Sequence, residues 1–336
     1  MAATVVGSSR NVEVVCESVP MTPDQKAPVC VLGTGLIGGS LLRAAVGAGY
    51  DAWGYNRSEA GAQAARADGF DVTGDLLGVL SRAADTDALI VVAVPMPAVD
   101  HILAEVATFA PRCSLTDVVS VKAPVAEAVR RHGLSARYVG GHPMAGTSES
   151  GWAATDPGLF RDAVWAVGVD EGTHPEPWLR VARLALACDA VVIPVVADEH
   201  DRAVARISHL PHVLAEALAV AGAAGGELAL GLAAGSFRDG TRVAATAPDL
   251  VRAICEPNAT ALLDVLEETL TVLGAARDSL RDAGTLVDLV EAGHDGRERY
   301  ATAQRWEITD IRPGDHDWLE ALREAGRRGG VITKLD

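Results

Sequence analysis

The residue best placed to move a proton is His142, in Gly140-Gly141-His142-Pro143-Met144-Ala145-Gly146-Thr147. It directly follows a short apolar run, Tyr138-Val139-Gly140, and glycines and a proline restrict its backbone. An imidazole held there can accept a hydrogen bond or take a proton near neutral pH. The plainer reading is a histidine that only supports the fold. Ser120 ends a second apolar run, Asp117-Val118-Val119-Ser120-Val121-Lys122. Its hydroxyl either faces the same crevice as His142 or is satisfied by backbone. In the second half, Ser208-His209-Leu210-Pro211-His212 spaces two histidines about one helical turn apart. No third ligand follows at suitable spacing, so no metal site is expected. Phe237-Arg238-Asp239-Gly240-Thr241-Arg242 is a polar knot between alanine-rich helices. Arg242, with Arg238 near it, would be costly beside a buried face unless it met an anion. That anion is a carboxylate ligand or, internally, Asp239 or Glu256.

These groups need a frame, and Val29-Cys30-Val31-Leu32-Gly33-Thr34-Gly35-Leu36-Ile37-Gly38 provides its start. A β-favouring run enters a G-x-G-x-x-G turn and leaves as a helix to about Gly47. Gly33 permits the tight turn, Gly35 lets a pyrophosphate approach, and Gly38 lets helix and strand pack closely. The N–H groups at the helix start, on Leu36 and Ile37, suit phosphate. The run Leu89–Val94, closed by Pro95, reads as a central parallel strand, and Val94 and Pro95 join the expected cofactor-binding set. Strand, helix and strand alternate from Val29 to about Val196, which predicts a doubly wound sheet binding ligands at the carboxyl ends of its strands. Ser120 then lies on the nicotinamide side of the crevice. Readers of NAD usually carry an acid at the end of the second strand. Here Asn56-Arg57-Ser58 stands instead. A carboxylate would repel a 2′-phosphate, whereas Arg57 and its polar neighbours could bind one, so NADP is favoured over NAD. Alternatively Arg57 is solvated and Ser58 merely caps the next helix.

After Ala197 strands are expected to stop. Helical signals fill 198–208, 210–221, 227–234, 248–255, 259–279 and 285–304, with a short amphipathic piece at 318–327. A helical half this rich in Ala and Gly commonly forms dimers. The resulting division is a tail at 1–27, a dinucleotide-binding domain at 28–196, a helical unit at 197–305 and a C-terminal tail at 306–336. The net charge of −16 across 336 residues argues against nucleic acid or an anionic membrane as partner. Five scattered cysteines form no C-x-x-C and suggest no disulfides. No signal-peptide core precedes residue 28, and glutamates and glycines interrupt the apolar stretch 213–235, so a cytoplasmic protein is expected.

The glycine turn, the Ser120–Lys122 strand end, Gly141-His142-Pro143-Met144-Ala145-Gly146-Thr147, Ser208-His209-Leu210-Pro211-His212 and Thr241-Arg242, in this order, resemble prephenate dehydrogenases, the cyclohexadienyl dehydrogenases of tyrosine biosynthesis. The resemblance runs from about Val29 to Leu273. It implies an α/β Rossmann-type doubly wound sheet followed by an all-α dimerisation domain, with the active site between them and a homodimer as the assembly. It also implies NAD(P)-dependent oxidative decarboxylation of prephenate, or of its amino form arogenate. By position, His142 would take the ring hydroxyl proton and Ser120 would hold both that hydroxyl and His142. Arg242 would grip a substrate carboxylate, while His209 and Thr147 line the pocket. Asn56 departs from relatives with an acid there, and Ser148 from relatives with a charge after the loop threonine. A lysine-dependent hydroxyacid dehydrogenase fits poorly, since Lys122 and Lys334 are the only lysines after Lys26. A dinucleotide-sensing protein without turnover would need the glycine turn but not His142.

Overall fold

The computed structural model describes residues 26–147 and 149–335. The expected N-terminal tail, apart from Lys26 and Ala27, therefore lies outside the described residues, as does Ser148. Six strands form one parallel sheet: β1 (Val29–Leu32), β2 (Ala52–Tyr55), β3 (Val72–Thr73), β4 (Leu89–Val92), β5 (Leu115–Asp117) and β6 (Tyr138–Val139). Their order is β3-β2-β1-β4-β5-β6, with the strand sequence reversing between β1 and β4. That reversal is where doubly wound sheets open a ligand crevice. β1 and β4 are buried at every position, as continuous apolar runs covered on both faces must be. Helices α1 (Leu36–Gly47), α2 (Glu59–Ala67), α3 (Leu76–Thr86), α4 (Met96–Phe109) and α5 (Ala123–Arg131) make the crossovers. The sequence pattern missed β3 and α3, because two strand residues and a helix opening on Leu-Leu-Gly carry little periodic signal.

The strands that follow do not extend this sheet. β7 (Gly141–Pro143), β8 (Val164–Gly168) and β9 (Val191–Val195), with helix α6 (Pro175–Ala187) between β8 and β9, form a separate three-stranded sheet. β7 runs antiparallel to β8, opposing His142 to Ala166. His142 is thus a strand residue, not a loop residue.

One continuous helical path then runs from Ala197 to Ala224: α7 (Ala197–Val204), a π-turn (Ala205–His209) and α8 (Leu210–Ala224). Separate helical spans at 198–208 and 210–221 were expected, and the structure joins them. The wider π-turn accommodates the proline, which has no N–H to give the ladder. By length and composition this path could cross a membrane, but its first turns carry Asp198, Glu199, Asp201 and Arg202. Helices α9 (Gly226–Gly231), α10 (Gly235–Gly240), α11 (Pro248–Cys255), α12 (Ala259–Ala283) and α13 (Val287–Thr302) complete the helical half. Its core is thin. Leu228 and Leu232 are each 75% exposed, and Leu263, Leu270 and Val290 also face outward. Apolar surface on this scale marks an association face.

Strands do recur after Ala197, against expectation. β10 (Trp306–Glu307) pairs in parallel with β11 (Gly330–Val331), and helix α14 (Trp318–Arg327) lies between them. Ile332 bridges to Val192 of β9, and Trp318 meets Trp178 of α6 edge-on at 5.8 Å. Trp318, Leu322 and Ala325 enter the same core as Trp165 and Val192. The C-terminal stretch therefore packs on the second sheet. The described cysteines, Cys30, Cys113, Cys188 and Cys255, are buried thiols.

Candidate active site

The glycine turn has the geometry its spacing requires. Gly33 sits at φ +107°, and a Cβ there would lie 2.5 Å from Ala93 O. A Cβ on Gly38 would collide with Gly33 O, which is what seats α1 tightly against β1. A Cβ on Gly35, by contrast, would project into open space. That is the cradle a pyrophosphate would fill. α1 has no side-chain cap and no acid in its first turn, and Gly39 N–H is the first to reach Gly35 O. The N–H groups of Leu36, Ile37 and Gly38 are left for an anion. Val94 borders the turn, its Cγ1 close to Gly33, and Pro95 leads into α4.

At the end of β2, Asn56 donates to Thr34 Oγ1 at 2.9 Å and accepts from Ser58 N–H at 2.9 Å. Ser58 caps α2 by accepting from Gly61 N–H at 3.3 Å. Arg57 is exposed and forms no ion pair among the described residues.

A buried polar cluster occupies the carboxyl end of β5. Asp117 is fully buried; it accepts from Val119 N–H (2.8 Å), Tyr138 OH (2.7 Å) and Gly141 N–H (3.3 Å), and pairs with Lys122. Lys122 Nζ also donates to Gly141 O at 2.6 Å. Burial pushes Lys122 below its usual value, with Asp117 opposing the shift. Burial, reinforced by Asp117, raises Tyr138. These bonds tie the start of β7 to the edge of the main sheet, one residue before His142.

His142 is half-buried, and its Nδ1 lies 2.9 Å from His200 Nε2. His200 Nδ1 in turn lies 2.8 Å from Asp201 Oδ1. Asp201 also accepts from Lys122 N–H and Ala123 N–H, both at 2.8 Å, and so caps α5. Burial alone would raise Asp201, but the His200, Ala123 and Lys122 bonds together hold it below the usual carboxylate range. Burial drives His142 well below 6.5, helped by His200, Lys122 and His209. His209 is buried on the π-turn and shares Asn258 with this cluster. Asn258 Nδ2 reaches His209 Nδ1 at 3.1 Å and Asp201 O at 2.7 Å. Burial pushes His209 down to about 4, although Asp201 pulls the other way.

The structure thus brings His142 and His209 to one network through His200, Asp201 and Asn258. Ser120 is half-buried at the same strand end but forms no hydrogen bond to His142 among the described residues, and His200 takes the place expected of it. Arg242, expected beside a buried face, is exposed on a turn packed on α8. Its internal candidates are engaged elsewhere, Asp239 lying 3.6 Å from Arg238 and Glu256 2.7 Å from Arg252. Among the described residues neither Arg242 nor exposed Arg238 forms a hydrogen bond or ion pair with the histidine cluster. Thr147 is exposed, on a loop whose far end is pinned to α1. There Arg43 stacks on Trp152 (4.3 Å) and Phe70 (4.9 Å) and donates to Thr155 Oγ1 at 2.7 Å. His200, Asp201 and Asn258 were not foreseen from the sequence. The run Asp198-Glu199-His200-Asp201 reads as an ordinary acidic helix start, because acids there also complement the helix dipole.

Two family models match the chain in succession: "Prephenate dehydrogenase, nucleotide-binding domain" over residues 42–194 and "Prephenate dehydrogenase, dimerization domain" over residues 196–291. A Bacillus subtilis prephenate dehydrogenase is 30% identical over 306 residues, 84% of this chain and 78% of that protein. A Lactococcus lactis prephenate dehydrogenase is 31% identical over 225 residues, which span 64% of this chain and 60% of the Lactococcus protein. A crystal structure of a candidate prephenate dehydrogenase from Corynebacterium glutamicum superposes with a TM-score of 0.87 at 47% identity, covering 92% of this chain and 99% of that one.

Proposed function

Because the chain belongs to the prephenate dehydrogenase family, we propose that it converts prephenate to 4-hydroxyphenylpyruvate by NAD(P)-dependent oxidative decarboxylation. The observation that carries this reading is an imidazole kept neutral by burial, on a strand bonded to the carboxyl end of β5, in the sheet whose β1 leads into an open glycine cradle. A nicotinamide cofactor, when bound, supplies the hydride acceptor. The residues that would hold it are Gly33, Gly35, Leu36, Ile37 and Gly38 at the pyrophosphate, Asn56, Arg57 and Ser58 at the ribose, and Val94, Pro95 and Ser120 along the crevice.

The chain's own work is orientation and proton handling. Neutral His142 accepts the hydrogen bond of the ring hydroxyl and takes its proton as that carbon loses hydride. The ring carboxylate then departs as CO2, and the electron pair it leaves aromatises the ring. The new phenolate oxygen can recover the proton, so no net proton is consumed. Ser120, with its hydroxyl unengaged among the described residues, would hold the same substrate oxygen. Arg242 would bind a substrate carboxylate, with His209 and Thr147 lining the pocket and Arg238 adding positive charge. NADP takes precedence over NAD, since β2 ends without a carboxylate and Arg57 is free to meet a 2′-phosphate. The exposed leucines of the helical half support a homodimer, with the substrate reached from within that assembly.

The test is to mix the purified protein with prephenate or arogenate, each with NAD or NADP, and follow nicotinamide reduction. Reduction with prephenate is the expected result, and reduction only with arogenate would reassign the substrate. His142→Asn should bind cofactor normally while turnover falls about a hundredfold or more. Cofactor binding without turnover of either substrate would leave a sensing protein.

A further inference from the structure

The Asp201–His200–His142 chain has a consequence for which nitrogen of His142 can act as base. An ionised carboxylate only accepts hydrogen bonds, so the His200 Nδ1 facing Asp201 at 2.8 Å must carry the hydrogen. A His200 that carries this one hydrogen presents a bare Nε2, and the His142 Nδ1 lying 2.9 Å from it then carries a hydrogen in turn. Only Nε2 of His142 retains its lone pair. We propose that His200, itself oriented by Asp201, is a positioning residue that locks His142 in the Nδ1–H tautomer and so aims Nε2 at the substrate hydroxyl. The inference deepens the reading of His142 as proton acceptor and rests on it for its kinetic part.

The anchoring is unusually complete. Asp201 spends both oxygens, accepting from the first N–H groups around α5 as well as from His200. Its carbonyl is held by Asn258, which also reaches His209. His200 and Asp201 are only 3% and 4% exposed, so water does not compete for these bonds. The rings of His142 and His200 cross at 71°, which points one ring nitrogen of His200 into the edge of His142. When Nε2 of His142 takes the substrate proton, the Nδ1–H···Nε2 bond to His200 strengthens, and Asp201 stabilises the charge through the intervening ring. The proton itself goes to His142 and returns from it, and His200 keeps its own.

The experiment is nitrogen-15 NMR of the full-length protein labelled at histidine, without ligand, at a pH where His142 is neutral. Wild type should show His142 with Nδ1 protonated and Nε2 bare. In His200→Leu this preference should collapse toward the Nε2–H form, while His200→Gln, whose amide oxygen can still accept from Nδ1–H, should keep it. A wild-type His142 already in the Nε2–H form overturns the proposal, as does a tautomer indifferent to His200→Leu. The wild-type spectrum alone decides the point if His200→Leu does not fold. Because no substrate is present, failure here is separable from failure of the activity assay. In kinetics, His200→Leu should lower kcat about tenfold to a hundredfold with KM nearly unchanged, short of the full loss of a general base. His200→Gln should recover most of it. Equal losses in both variants would mean that His200 only fills space.

Discussion

Replacing Lys122 by methionine tests whether the buried charge pair anchors the strand that carries His142. The substitution keeps most of the volume but removes the ammonium, which pairs with Asp117 and donates to Gly141 O. Stripping one partner from a buried pair typically costs about 3–5 kcal/mol, because the remaining charge stays desolvated. Asp117 would retain three donors, Val119 N–H, Tyr138 OH and Gly141 N–H. Those partly solvate it, which places the expected cost at the low end, about 3 kcal/mol. For a domain of this size that lowers Tm by roughly 6–12 °C. Calorimetry and urea unfolding at one fixed protein concentration would measure it, since association also shifts apparent stability. The double variant Asp117→Asn/Lys122→Met, which removes both charges, should recover at least about 1 kcal/mol of the loss. A single variant costing under about 1 kcal/mol, with no recovery in the double, would refute the claim that this pair is desolvated and structural.

Arg242→Ala should raise the KM for substrate about tenfold or more without changing Tm, because the side chain is exposed and makes no internal ion pair among the described residues; an unfolded variant would assign it to the fold instead. Arg57→Ala should weaken NADP binding far more than NAD binding in titrations of the free protein, and an equal effect on both would contradict a 2′-phosphate contact. Stability should be fully present above pH 6.5 and decline as pH falls from 6.5 toward about 4, since the unfolded chain takes up the His209 proton there while the folded chain does not. Buried His142 adds to the same slope. Urea midpoints that stay level between pH 7.5 and pH 5 would contradict both neutral histidines.

The nucleotide-binding half was readable because its signals are local. An apolar run, a glycine triplet and a helix start fall within a dozen residues, and the structure realises each of them. His142 was legible for the same reason, as its flanking glycines and proline set it apart. The partners of His142 were not legible, because they lie on α7 and are brought to β7 only by tertiary packing. Nothing in Asp198-Glu199-His200-Asp201 distinguishes a relay from a helix start that satisfies the dipole. Arg242 failed in the opposite direction. Its alanine-rich neighbours suggested burial, yet in the protomer those helices expose their apolar faces, and the arginine with them. The late strands at 306–307 and 330–331 are too short to leave a periodic trace.

The return of the C-terminal stretch to the second sheet sets an order of events during synthesis. Val192 leaves the ribosome long before Ile332, yet the two pair in the finished protein. Until then the nascent chain presents Trp178 and the outer side of β9 without Trp318 and Leu322 to cover them. The glycine-turn sheet can close as soon as its own strands emerge, whereas its neighbour must wait for residues 318–332. A premature stop shortly before residue 306 would spare every residue assigned here to chemistry and still yield a polypeptide with an open, sticky flank.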